Sequence, residues 1–552
     1  MAEFQGEVHR PQRVGVREEP PTFDHDGGHE PGWYRGWGRN TPAGAFWGPV
    51  GRRRGDGPMI VAMPNAPTDD RREEQRSSAD PGSRTMAIIA WVVLIVLVLG
   101  TVVVNQSELF APAPAAEKVS EISAPGSDEF TLVAKAMVKV AYVPGIGSTE
   151  TRTAYLGNVR DAAKEPLEQL RAAIVAWDLA GEKEARRLLD KLQKQEQKAE
   201  EPSEVLLAEI ELVRRMVTEG PSSLSEEERA GLKARHGWFA ELAMTHGLKE
   251  SDPARAALLR GGVTIVTTVL AGMAVAGVVF VAGCVICVLA ILGLSKGRFR
   301  PVFVPPAAGG SVFVETVAVF VMLFLVVMKI GFTAVVASMP EPPEWIDAAG
   351  LLAQWALVVV PLWPLLRRVS FADLRARIGW HSGQGVMQEI GAGMYAYLAG
   401  LPLLVFSMAV SVVLMLVYQL VMSAVFNRPE AGPPPNRVAE MISSVSGWKL
   451  VLLFSLATIW APLVEESLFR GALYRALRTG TGVVWAALIS AVVFGVMHGY
   501  AFFLLMPVIT LGFIFALTRE WRGSLIGPMV AHGLHNASVL TLAIIVFRAI
   551  QQ

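Results

Sequence analysis

Cysteine is almost missing: the 552 residues hold two, Cys284 and Cys287, which excludes a disulfide-stapled scaffold. Charge is scarce as well. Only 18% of residues are Asp, Glu, Lys or Arg, against about 25% in ordinary soluble domains. Neither sign predominates, with 50 basic and 50 acidic side chains, so a nucleic-acid binder driven by bulk electrostatics is excluded. The deficit is concentrated in one run, 86–104, and one long region, 261–548. With 52% hydrophobic residues and a mean hydropathy of +0.39, the fibrous, disordered and single-domain soluble classes fall away. What remains is an integral membrane protein with soluble attachments.

Residues 1–85 are rich in Gly, Pro, Arg and Asp without an apolar period, as in GWYRGWGRNTPAGAFWGPVGRRRGDG. Such a segment buries too little surface to offset the entropy of ordering, so disorder is expected. Met59, Met63 or Met86 could each be the native start; an intact mass beginning at Met1 would exclude this. The cluster His25, Asp26, His29 and Glu30 has metal-ligand chemistry, but in a Gly-rich tail it reads as a solvated polar stretch. As a helix, the 19 uncharged residues 86–104 span roughly 28 Å, enough to cross the hydrocarbon core. Arg71, Arg72, Arg76 and Arg84 precede the run and Glu108 and Glu117 follow it, which places the N-terminus in the cytoplasm. A cleaved signal peptide is the competing reading, since APAPAA follows. The length of the run and its distance from Met1 favour an uncleaved anchor.

Residues 117–256 are polar and helical in pattern. Segments 161–178, 182–199 and 203–218 space apolar residues three and four apart, with dense charge between them. Gly181 and Pro202 punctuate them, and Ser225 with Glu228 makes a capping box. This soluble helical domain is expected outside the cytoplasm, as a spacer or as a binding site for a partner protein. From 261 the chain returns to the membrane, with spans expected near 261–294, 311–338, 349–366, 391–424, 448–466, 482–499, 501–518 and 524–548. Loops carrying Lys296, Arg298 and Arg300, then Arg367 to Arg377, Arg470 to Arg478, and Arg519 with Arg522 alternate with acidic or proline-rich ones. The expected fold is all-α: a polytopic bundle of about eight spans, an N-terminal anchor and a soluble helical domain. Cys284 and Cys287 sit in an apolar helix and read as packing thiols. The small residues around 271–277 read as a close helix contact.

Chemistry concentrates in the last hundred residues, where ionisable groups fall at membrane depth and are costly unless used. APLVEESLFRGALYRALR places Glu466 and Arg470 four apart on one helix face, where they can pair. Glu465, about 100° around the helix, is left free. SAVVFGVMHGY places Phe494 and His498 four apart, and PMVAHGLHNAS does the same for His532 and Asn536, with His535 nearby. A free carboxylate, two imidazoles and a carboxamide suit hydrolysis. Glu465 can take a proton from a water oriented by His498. His532 and Asn536 can donate to a developing oxyanion. The competing reading of these groups is a buried polar network that only joins helices.

In order and on successive membrane helices, EExxxR (Glu465, Glu466, Arg470), FxxxH (Phe494, His498) and HxxxN (His532, Asn536) resemble the CPBP intramembrane protease family. That family contains the CAAX prenyl endopeptidases and the bacterial bacteriocin-processing and self-immunity proteins of the Abi group. The resemblance covers about 370–548, extends at most to the whole unit 261–548, and accounts for nothing in 1–256. It implies an eight-helix bundle around a conical cavity. It further implies Glu465 and His498 as the water-activating pair, His532 and Asn536 as oxyanion stabilisers, and Glu466, Arg470 and Phe494 as structural or orienting members. Family members are often named metalloproteases, and a metal-independent glutamate mechanism is also proposed for them. Both stay open, since two histidines and a glutamate could hold a divalent metal such as zinc. HExxH is absent, as are the GxSG and GxGD motifs of other intramembrane proteases.

The expected activity is therefore endopeptidase cleavage of a membrane-associated protein or peptide, by a multi-pass protein of the plasma (inner) membrane with the lipid bilayer as its surroundings. The alternatives are an ion- or proton-coupled transporter using Glu465, His498 and His532 as a relay, and a catalytically silent scaffold.

Overall fold

A computed structural model describes residues 79–110, 119, 121–122, 125–126, 128–199, 201–340, 342–343, 345–426 and 447–551. The expectations of disorder over 1–78, a metal-type cluster at His25 to Glu30, starts at Met59 or Met63, and a proline-rich loop at 427–436 lie outside the described residues. Among the described residues every regular element is helical, and one isolated parallel bridge joins Ala79 to Ala307.

Among the described residues nine apolar helices make up the membrane part: α1 (Arg84–Phe110), α2 (Gly262–Ser295), α3 (Val312–Ala337), α4 (Ala348–Leu366), α5 (Val386–Ala424), α6 (Trp448–Leu477), α7 (Val483–Met497), α8 (Leu505–Arg522) and α9 (Ile526–Gln551). Eight candidate spans are long and apolar enough to cross a bilayer. The chain is an integral multi-pass membrane protein. The exception is α7, read from the sequence as a span over 482–499. It stops after 15 residues, about 22 Å of rise, and the chain turns back at Gly499 (φ +70°). Along α2 and α5, Met273, Val278, Phe406 and Leu420 stay largely exposed, as lipid-facing side chains do. Within 271–277 the close contact falls at Gly272, where a Cβ would lie 3.2 Å from Leu542 Cδ1, while Gly277 faces open space; a tighter one follows at Gly283, 2.8 Å from Leu398 O. Cys284 and Cys287 are free, half-buried thiols on α2.

Several basic residues at one end of the bundle have acidic partners. Arg478 pairs with Glu520 at 3.0 Å and Arg522 with Glu389 at 2.7 Å. Asp80 is the unforeseen member. Its carboxylate is buried and accepts from Arg475 Nη2 and Nε (2.8 and 2.9 Å) and from Arg377 Nη1 (2.8 Å). Disorder read over the whole of 1–85 is thus corrected for 79–85. Pro81 O accepts from Ser311 N and Val312 N, Ser83 N donates to Ser311 Oγ, and a helix begins at Arg84. Composition hides this docking, because it depends on arginines that lie far away in sequence.

At the opposite end, eight helices between Glu129 and Leu259 form a layer with its own core, including Leu170, Ile174, Leu189, Ile210, Val213 and Phe239. Asp128, Ser148, Ser203 and Ser225 cap four of its helices. The periodic segment 161–178 is split. One helix ends at Ala162 and the next begins at Pro166, because proline cannot continue a helix but starts one well. The layer meets the bundle through Lys139, whose Nζ donates to Ile550 O at 2.9 Å, and through Gly262, where a Cβ would lie 2.3 Å from Lys139 O.

Inside the layer, fully buried His236 shares Glu209 with Arg235, each at 2.9 Å. Burial holds the imidazole below its ordinary value of 6.5, and the Glu209 hydrogen bond only partly opposes this. A lowered folded-state value means that the unfolded chain binds the extra proton as pH falls below about 6.5, so stability is lost on acidification. The layer's melting temperature is expected to fall between pH 7 and pH 5. His236→Gln, which keeps a donor and cannot titrate, is expected to flatten that dependence in a calorimetric series.

Candidate active site

Local winding of α6 sets the site. Leu456–Trp460 and Glu466–Leu473 are π-helical, with i→i+5 hydrogen bonds that leave carbonyls available to side chains. Two are used by the neighbouring helices. Asn536 Nδ2 donates to Ala457 O at 2.8 Å, and Ser490 Oγ donates to Phe469 O at 3.0 Å. One of the two amide hydrogens of Asn536 is therefore committed to α6.

Glu466 and Arg470 are both fully buried and lie 2.9 Å apart; Arg470 Nη2 also donates to Gly512 O at 3.1 Å. Gly512 makes that approach possible, since a Cβ there would stand 3.1 Å from the guanidinium. Glu466 Oε1 also accepts from His532 Nδ1 at 2.8 Å. A proton on Nδ1 turns Nε2 of the same ring toward Glu465, whose Oε2 is 4.0 Å away. That oxygen is buried and has no hydrogen-bond partner in the protein, although the Glu465 side chain as a whole keeps 18% exposure. Two polar atoms at this separation suit a bridging water.

Phe494 is the hub. Its ring meets Phe469 (5.2 Å), His498 (4.7 Å) and His532 (5.9 Å) edge-on, and Arg470 lies over it at 4.3 Å. His498 Nδ1 donates to Phe494 O at 2.8 Å, which leaves its Nε2 as an acceptor in the neutral ring. His535 does not share this arrangement; it bonds Tyr397 at 3.3 Å. Three contributors were not read from the sequence. Phe515 stacks on His532 (5.2 Å, 22°), Tyr500 stacks on His498 (6.0 Å, 27°), and Trp380 Nε1 donates to Ser467 Oγ at 2.9 Å, beside Glu466. Phe515 lies in α8 and Trp380 and Tyr500 in loops, and their partners are remote in sequence or set by loop geometry, so nothing local marks these three. A largely apolar cleft of about 700 Å³ opens beside the site, lined by Leu463, Val464, Trp380, Leu525, Met529 and Arg375 among others.

The family model described as type II CAAX prenyl endopeptidase Rce1-like matches residues 447–538, a stretch that holds all three motif helices. The match supports a CPBP assignment for this core. Over 91 residues the chain is 32% identical to the candidate membrane peptidase YdiL of Bacillus subtilis (strain 168), covering 16% of the chain and 37% of that protein. The chain thus spans little more than a third of the curated relative it matches. No solved structure matches it. For a resident metal, Glu465, His498 and His532 have suitable donor chemistry. Their spacing does not fit one: among the described residues no three His, Cys, Asp or Glu side chains gather closely enough to hold one ion.

Proposed function

We propose that the chain is an intramembrane endopeptidase that hydrolyses a peptide bond of a membrane-associated protein or peptide. The carrying observation is the unpartnered buried oxygen of Glu465 facing His532 Nε2 at 4.0 Å. Glu465 takes the proton of a water held between them as that water attacks the scissile carbonyl, and His498 orients the water from the Phe494 side. His532, held through Nδ1 by Glu466, presents Nε2 to the oxyanion. The second amide hydrogen of Asn536 completes the pair of donors. The proton on Glu465 then passes to the leaving amine. Arg470 neutralises Glu466, and Phe494 fixes the spacing of the two imidazoles. No step is routed through a metal.

In this reading the cleft beside Leu463 and Met529 admits the substrate from the arginine-rich end. That end and the N-terminus face the cytoplasm, in the plasma (inner) membrane, with arginine at each loop as support. The helical layer over 129–259 is then a soluble domain on the other side, free to bind a partner protein.

The test is cleavage of a library of membrane-spanning peptides by purified protein, with elemental analysis and a chelator series on the same sample. Cleavage is expected, and His498→Ala is expected to lower it at least a hundredfold in protein that still elutes as a folded species. No cleavage of any peptide, or full activity in His498→Ala, overturns the reading. Stoichiometric metal lost together with activity on chelation would make the histidines ligands. Activity that survives chelation keeps Glu465 as the base.

A further inference from the structure

The anchor helix α1 lies outside the segment that matches the family, yet it packs within the site's core. Ala90 and Leu94 belong to the same buried cluster as Trp460, Val464, Phe494 and Met497. Near its far end Gln106 makes two hydrogen bonds to one loop: Nε2 donates to Tyr500 O at 3.2 Å, and Oε1 accepts from Phe502 N at 2.9 Å. This loop follows His498 directly. The irregular backbone of this loop needs partners for its polar groups, and here a single carboxamide supplies one donor and one acceptor. The Tyr500 ring in turn stacks on His498 at 6.0 Å.

We infer that Gln106 is a positioning residue for the peptidase reaction: it holds the 499–502 loop so that Tyr500 fixes the ring of His498, and α1 is thereby a working part of the catalytic unit and more than a membrane tether. The inference rests on the peptidase reading. It is specific to the carboxamide, since a carboxylate at 106 keeps the acceptor for Phe502 N and loses the donor to Tyr500 O, while an aliphatic side chain loses both.

The test compares full-length wild type, Gln106→Glu and Gln106→Leu by hydrogen exchange of 499–504 and by steady-state cleavage of a peptide found in the library screen. Exchange is expected to accelerate at least tenfold in Gln106→Leu, with exchange in α6 and α9 unchanged. The kcat is expected to drop about tenfold while KM stays within twofold, with Gln106→Glu intermediate in both. Faster exchange with unchanged kcat would make Gln106 a packing residue only and overturn the inference. Unchanged exchange would overturn the clamp itself. If Gln106→Leu does not fold, Gln106→Glu carries both measurements. A wild type that cleaves nothing removes the peptidase reading and the positioning role with it, and the exchange data then report on the loop alone.

Discussion

Glu465→Gln is expected to lower cleavage by roughly 10²–10⁴-fold, the range that a positioned general base contributes, while leaving the melting temperature of the detergent-purified protein within a degree or two. The second half of that expectation follows from the geometry. Glu465 Oε2 has no hydrogen-bond partner in the protein, and the nearest basic nitrogen, His532 Nε2, stands 4.0 Å away. A glutamine of the same shape therefore breaks no hydrogen bond at that oxygen, and it removes a carboxylate buried without one, which favours the fold if anything. Activity and stability separate at this position. A single-turnover assay and a thermal melt on one preparation check both. Retained cleavage would remove Glu465 from the reaction, and a large loss of stability would assign it to the fold.

One residue further on, the balance reverses. Glu466→Gln leaves the fully buried Arg470 guanidinium without its counter-charge. Removing one partner of a buried pair costs about 3–5 kcal/mol, because the other charge stays desolvated. The remaining contacts of Arg470, Gly512 O and the faces of Phe494 and Phe515, are polar or aromatic and carry no net charge. A fall in melting temperature of about 5 °C is expected. The double variant Glu466→Gln with Arg470→Met is expected to regain most of it, since replacing both charges removes the uncompensated one. Cleavage should not return in the double variant, because His532 Nδ1 loses its anionic acceptor. A melting temperature unchanged in the single variant would show that Arg470 draws its compensation from elsewhere.

The spans and the three motif helices were legible because their signals are local. An apolar run is counted along the chain, and Glu466 and Arg470, or His532 and Asn536, share a face through spacing alone. What escaped depends on partners remote in sequence or on departures from regular winding. Asp80 looks like one more acidic residue of a polar tail until Arg377 and Arg475 close around it. Gln106 looks like the polar end of an anchor until the loop after His498 needs its amide. The π segments at Leu456–Trp460 and Glu466–Leu473 carry no mark in composition, and through them Asn536 comes to be tied to α6. The early stop of α7 is a matter of tertiary fit, since its residues are as apolar as those of longer spans. Only the break before Pro166 had a local cause that the periodic pattern masked.

The contacts that bracket the site also set an order of events in the cell. Asp80 meets a partner 395 positions later, Gln106 one 396 positions later, and Lys139 one 411 positions later. A ribosome emits these residues in sequence, so the first membrane helix can dock on α3 early, but Gln106 and Lys139 must wait for their partners until the final helices have been inserted. Contacts of such long range form late and slowly. A nascent or prematurely terminated chain thus lacks the completed site, and the hydrolysis proposed for it would begin only once synthesis of the chain has ended.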